Sequence, residues 1–218
     1  MTTLAIALYV VYLLVAFVVR TVIQVRRTGD SGFRGLSGRP GTAQWWAGVL
    51  FAVALVVGAA APVAGAVGLP TIGWLDQPVV NITGVGLAIA GIALTLAAQF
   101  RMGSEWRIGV DDTEQTNLVT DGLFALVRNP IFTAMSLTGL GLTLMVPNIV
   151  ALVGFVALLV ALQLQVRVVE EPYLRRTHPA AYARYEAAVG RFLPGIGKTT
   201  DPGASSRPDS AATIASHG

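Results

Sequence analysis

The stretch Arg128–Pro172, RNPIFTAMSLTGLGLTLMVPNIVALVGFVALLVALQLQVRVVEEP, carries no charged residue between Arg128 and Arg167. Its one internal break is Pro147-Asn148, a turn-forming pair. The halves on either side, about Ile131–Val146 and Ile149–Val169, approach the roughly 20 residues that cross a hydrocarbon core, the first falling short. Helices are the default there, because an open sheet edge leaves backbone groups unpaired in lipid. The stretch therefore reads as a helical hairpin whose two ends lie on one side of a membrane. Those ends hold Arg128-Asn129-Pro130 and Glu170-Glu171, so most of the polar chemistry of an apolar chain can converge on one ligand.

The rest of the chain fits this reading. Of 218 residues, 54% are hydrophobic and 12% charged, where a soluble domain carries about a quarter charged. Mean hydropathy is +0.65. Three further spans fall at about Leu4–Val25, Trp46–Leu69 and Val79–Phe100. The N-terminus lacks the basic region of a cleaved signal and reads as the first span. The expected fold is all-α: an integral membrane bundle of about five transmembrane helices with a cytoplasmic C-terminal helical segment. Residues 1–197 form one membrane domain, and 198–218, rich in Ser, Ala, Asp, Gly and Pro, form a disordered tail. Gly29–Gly41 reads as a flexible loop. Between Pro179 and Phe192, Tyr182, Tyr185 and Val189 share one helical face, which covers the cytoplasmic end of the bundle or lies on lipid.

Cysteine is absent and only two histidines occur, His178 and His217. Disulfides, thiolate nucleophiles and Cys-ligated metals are excluded, and a histidine-built metal site is not expected. Basic residues set the orientation. Arg26, Arg27, Arg34 and Arg39 lie in the first connection, and Arg101, Arg107 and Arg128 in the third. Seven more, Arg167, Arg175, Arg176, Arg184, Arg191, Lys198 and Arg207, lie at or beyond the end of the fifth span. The second and fourth connections carry none. These three basic regions are then cytoplasmic, with Arg20 snorkelling to the same face.

Within the hairpin, Pro130 suits the first turn of a helix and Asn129 its N-cap. Glu170-Glu171 are expected at a helix C-terminus, where the helix dipole disfavours acids, with Pro172 bending or stopping the helix. A cation should offset them: either Arg167 at spacings of three and four, or a cationic ligand. In the third span, Gly84, Ala88, Gly91 and Thr95 form one small-residue stripe, and Gly86, Ala90, Ala93 and Ala97 another. Such stripes serve close helix packing or leave backbone space beside a ligand.

GLFALVRNPIF, EEPYL and AYARYEAAVGRFLP resemble the isoprenylcysteine carboxyl methyltransferase family and its phospholipid methyltransferase relatives. The likeness covers about Asn81–Pro194, including Gly84-Val85-Gly86. It implies a methyltransferase using S-adenosylmethionine, with a lipophilic or small apolar acceptor, membrane lipid around it, and neither nucleic acid nor metal. Phospholipid N-methylation, thiol S-methylation and a non-enzymatic scaffold that keeps the fold are the alternatives. By this resemblance Arg128 and Glu171 are the catalytic candidates. Gly84, Gly86, Arg128, Asn129, Glu170, Glu171, Tyr182 and Tyr185 are the cofactor-binding ones. Charge agrees: a sulfonium and an ammonium suit Glu170 and Glu171, and a carboxylate suits Arg128 and the N–H groups opening the fourth span. The chain departs from the family at Phe132, where Tyr is usual, at Ala134, and at His178-Pro179. His178 reads as an interfacial histidine, with general base as the alternative. Glu105, Trp106 and Arg107 shape an acceptor entrance or anchor the interface.

Reporter fusions after Gly73 and after Lys198 should report opposite sides of the membrane. The same side for both overturns this topology.

Overall fold

The computed structural model describes residues 1–32, 38–106 and 117–199. Arg34, Arg107 and the tail from Thr200 onward lie outside these. The described residues are helical, with no strand beyond two isolated bridges. We label the helices α1 (Thr2–Thr28), α2 (Ala43–Ala66), α3 (Pro78–Met102), α4 (Pro130–Met145), α5 (Ile149–Thr177) and α6 (Pro179–Ala188). The first, second, third and fifth are long and apolar enough to cross a membrane. α4 has 16 residues, about 24 Å of rise. Large apolar side chains face outward along the bundle, among them Val10, Val56, Ile82 and Val153, as a lipid-facing surface requires.

The hairpin turn is held at Asn148, which is fully buried. Its Oδ1 accepts from the Ala151 N–H at 2.9 Å, capping α5, while its Nδ2 donates to the Ala61 carbonyl of α2 at 2.9 Å. The two arms then take different partners: α4 packs chiefly on α3, and α5 on α2. Small residues make both contacts. A Cβ on Gly84 would stand 2.7 Å from the Gly141 carbonyl and 2.9 Å from the Met145 nitrogen, and one on Gly91 2.8 Å from the Ala134 carbonyl. On the other pair, a Cβ on Gly154 would stand 3.2 Å from the Gly58 nitrogen. The Gly84–Thr95 stripe is thus the α3–α4 seam. The Gly86–Ala97 stripe is exposed along its length. α1 lies across the bundle, its Tyr12 and Ala16 packed with Met135 and Leu162.

Two expectations fail here. The fifth helix neither stops nor ends its dipole at Glu170-Glu171. Residues Gln165–Glu170 form a widened π-helical turn, in which the Glu171 N–H reaches back five residues to the Val166 carbonyl. This turn makes room for the Pro172 ring, which in an α-helix would clash with the carbonyl four residues earlier. The helix continues to Thr177, so the dipole's negative end lies beyond the acids, where Arg175 and Arg176 offset it. Nor does Arg20 snorkel. It is 1% exposed, held between helices rather than at the surface.

Gly91→Val should lower the thermal melting midpoint, by overpacking worth about 1–3 kcal/mol. Gly86→Val, whose Cβ meets nothing within 4 Å, should leave it nearly unchanged. Equal effects would show that the seam is not the Gly84–Thr95 face.

Candidate active site

The start of α4 and the far part of α5 meet, as an antiparallel hairpin requires. Arg128 Nη2 lies 3.1 Å from Glu171 Oε1, with both side chains almost wholly buried. Glu171 is also held bidentately by Arg191, at 2.6 Å from Nε to Oε1 and 3.0 Å from Nη2 to Oε2. Arg175, one turn further along α5, donates to Glu171 Oε2 at 3.3 Å and to Glu186 Oε2 at 2.9 Å. Arg167, the partner expected from spacing, instead donates to Gln163 at 3.0 Å on the exposed side. The hydrogen bond to Glu171 raises the Arg191 pKa further above its ordinary range.

Arg128 does more than pair. Its Nη1 donates to the Glu186 and Val189 carbonyls at 2.8 and 3.2 Å, and its Nη2 to the Gly197 carbonyl at 3.0 Å. It therefore caps the C-terminal end of α6, where helix carbonyls lack intrahelical partners. Only its Nε is buried without an acceptor. The backbone repeats the clamp: Arg128 N–H donates to Gly190 O at 2.8 Å and Asn129 N–H to Arg191 O at 3.1 Å. Asn129 occupies the N-cap position of α4, but its side chain does not cap. Its Nδ2 donates to Arg191 O at 3.1 Å, and Thr133 Oγ1 donates to Phe192 O at 2.9 Å. RNP and GRF thus pair as two short strips.

Tyr182 and Tyr185 are buried on the inner face of α6 and meet edge to face at 6.1 Å. They cover the Arg-rich end of the bundle rather than lying on lipid. Burial pushes the Tyr185 phenol up to about 12, and it donates to the Phe124 carbonyl at 2.6 Å. Glu170, partly buried beside this network, has no hydrogen-bond or ion-pair partner among the described residues. Arg128, Asn129, Glu170, Glu171, Tyr182 and Tyr185 are therefore brought together. Gly84 and Gly86 are not. Gly84 packs on Gly141 and Met145, 13 or more residues and about 20 Å along α4 from Arg128, and Gly86 faces outward. Packing fills the space beside Gly84, and the space beside Gly86 opens away from the bundle. His178 forms the junction of α5 and α6, and Glu105 accepts from Asn117 at 3.0 and 3.2 Å.

Sequence reading missed Arg175, Glu186 and Arg191. The first was visible as Glu171–Arg175 at i, i+4. Arg191 depends on a turn that no periodicity displays.

The phospholipid methyltransferase family matches the chain over residues 79–181. No curated protein sequence matches it. Among solved structures, the eukaryotic intramembrane Ras methyltransferase isoprenylcysteine carboxyl methyltransferase shares the fold, with a TM-score of 0.54 and 22% identity. The likeness covers 84% of this chain and 62% of that one. Residues 79–181 thus match the phospholipid methyltransferase family, and the fold around them is like that of the isoprenylcysteine carboxyl methyltransferase structure, in line with the likeness read from GLFALVRNPIF and EEPYL.

Proposed function

We propose that the chain is an integral membrane methyltransferase that uses S-adenosylmethionine to modify a lipophilic or small apolar acceptor. The observation that carries this reading is Glu170, a partly buried carboxylate without a counter-charge beside a network of arginines. The residues fit the donor's charges. Glu170 is free to meet a sulfonium or ammonium. Around Glu171 and Glu186 stand Arg128, Arg175 and Arg191, three cations to two acids, which favours a carboxylate nearby.

Bound there, the donor supplies a methyl group that moves by direct displacement: the acceptor's lone pair forms the bond to carbon and the carbon–sulfur pair stays on sulfur. Such a reaction asks for alignment and a dry site more than for acid–base groups. Glu170 holds the positive end. Glu171 is already engaged by three guanidinium groups, so we assign it and Arg128 to positioning: they fix α6 and the 190–197 turn against the site. Tyr182 and Tyr185 exclude water from above. A cavity within the bundle, lined by Tyr9, Tyr12, Leu55, Met135, Phe155 and Leu158, lies toward the hairpin turn, about 10 Å or more along α4 from Arg128, and offers room for an apolar tail rather than for the donor. On the charge asymmetry of the connections, the site faces the cytoplasm. Phospholipid N-methylation is the second reading, favoured by the family match at residues 79–181. The scaffold reading gains nothing from an acid left without a counter-charge.

Glu170→Gln should fold like wild type and bind the donor roughly tenfold to a hundredfold more weakly by calorimetry. Glu171→Gln should instead lower the melting midpoint, since unpairing a buried Arg128 costs about 3–5 kcal/mol. Wild-type donor affinity in a folded Glu170→Gln variant would remove Glu170 from the site.

Incubation with methyl-labelled donor and a membrane lipid extract should yield a labelled lipophilic product. No label in any product, with no donor binding, would leave the scaffold reading.

A further inference from the structure

A second polar cluster lies where α1 crosses the end of α3, outside the Arg128–Glu171 network. Four of the seven buried side-chain atoms without a hydrogen-bond partner among the described residues belong to it: Arg20 Nε and Nη1, Gln24 Oε1 and Gln99 Oε1. Arg20, Gln24 and Gln99 are each at most 4% exposed. They follow one another along a seam. Gln99 Nε2 donates to the Ala16 carbonyl at 2.9 Å, and one turn on, Arg20 Nη2 donates to the Gly103 carbonyl. Gln24 Nε2 reaches the adjacent Ser104 carbonyl at 2.8 Å. The Arg20 guanidinium lies over the Trp106 ring, 4.8 Å from its centroid.

A guanidinium offers five N–H donors. At Arg20 one nitrogen finds a carbonyl, and the N–H groups of Nε and Nη1 find nothing. Among the described residues no carboxylate stands within ion-pair distance. The ring face of Trp106 and the carbonyl end of α3 supply only partial negative charge. An arginine buried in this way within a membrane-spanning helix is unfavourable unless an anion completes it. The flanking amides add a second requirement. Each donates one of its two N–H groups to a carbonyl and leaves its buried oxygen, an acceptor only, without a donor. The missing group must accept from Arg20 and donate to an amide oxygen. A further feature marks the position: residues Leu14–Val19, immediately before Arg20, form a π-helical turn, a feature that clusters at functional positions.

We infer that Arg20, Gln24, Gln99 and Trp106 form a binding site for an oxyanion that also carries a hydroxyl, of which a phosphate bearing a P–OH is the simplest. Arg20 grips the anionic oxygens through Nε and Nη1, and Gln24 or Gln99 accepts from the hydroxyl. The same chemistry comes from a free phosphate or from a lipid headgroup, and the depth of Arg20, near the end of the apolar part of α1, suits both. The site uses none of the residues of the Arg128–Glu171 network and stands or falls apart from the methyl-transfer reading.

The test uses the full chain in nanodiscs of zwitterionic lipid, with Trp45, Trp46 and Trp74 replaced by Phe so that Trp106 alone reports. Inorganic phosphate, hexyl phosphate and hexanol are titrated, and a parallel preparation contains phosphatidylglycerol. Saturable change in Trp106 emission with a phosphate probe and none with hexanol supports the site. Response to inorganic phosphate assigns a free ion; response only to hexyl phosphate or to the anionic disc assigns a headgroup. R20Q should weaken the response at least roughly tenfold, and R20K, which keeps the charge but loses the fork, should weaken it less. No saturable response in folded protein, which would mean that water alone fills the cluster, overturns the inference, as does an R20Q variant that binds like its parent. If R20Q does not fold, Q99L decides: it keeps the cation, removes one acceptor, and should weaken the phosphate probe without creating a response to hexanol. Unchanged phosphate binding in Q99L overturns the inference.

Discussion

Glu171 meets three guanidinium groups at once, and the arrangement of the Arg-rich end of the bundle follows from that meeting. Arg128 comes from the start of α4, Arg175 from the next turn of α5, and Arg191 from beyond α6. One carboxylate thereby ties both ends of the hairpin to the segment that follows α6. Burying such charges is costly, and the cost is tolerated only where hydrogen bonds are nearly complete. Here they are: both carboxylate oxygens accept, and Arg128 spends its remaining terminal N–H groups on the carbonyls of Glu186, Val189 and Gly197. The same cation that neutralises Glu171 therefore ends α6, so electrostatics and chain path are fixed by one group.

Both buried charges of interest follow a π-helical turn, Leu14–Val19 before Arg20 and Gln165–Glu170 before Glu171. A π turn holds one more residue per turn than its neighbours and so rotates everything beyond it. A lipid-facing helix has a fixed apolar periodicity, and a charge placed on that periodicity would face lipid in some registers. The extra residue lets a helix keep its apolar face through the hydrocarbon and still turn a charged side chain inward at its end.

How much of this was legible in the sequence divides along physical lines. The hairpin was, because Pro147-Asn148 interrupts an uncharged run and Asn148 caps as its type predicts. The meeting of Arg128 with the acids followed from hairpin geometry alone. The continuation of α5 through Pro172 was not legible, because whether proline breaks a helix depends on the hydrogen-bond register of the turn before it. The identity of the cations was half legible. Arg175 lies one turn away, whereas Arg191 reaches Glu171 only because the chain doubles back at Gly195 and Gly197, both at positive φ, with Gly190 so close to Leu193 O that a side chain would not fit. Small-residue stripes show packing but not which face packs. Here the face of Gly84 and Gly91 does, and the face of Gly86 does not. The Arg20 cluster was misread because snorkelling is the rule for an arginine near a helix end, and only tertiary contact shows that α3 covers it.

The adjacency of Glu170 and Glu171 looks like redundancy in a sequence and is a division of labour in the fold. Successive residues on a helix point about 100° apart. One acid of such a pair can face a saturating cluster while the other faces away from it, so the two need not share a partner. Glu171 takes the inward direction and is consumed by structure. Glu170 takes the direction that leaves it without a counter-charge. Had the helix ended at this pair, its C-terminal dipole would have destabilised both acids alike, and each would have needed a cation for structural reasons. Because the π turn carries the helix past Pro172, that dipole ends at Thr177 against Arg175 and Arg176. What repels a cationic ligand least, and attracts it most, is then a carboxylate whose neighbour has already absorbed the nearby arginines. The network around Glu171 thus does for Glu170 what Glu170 cannot do for itself: it keeps the arginines occupied.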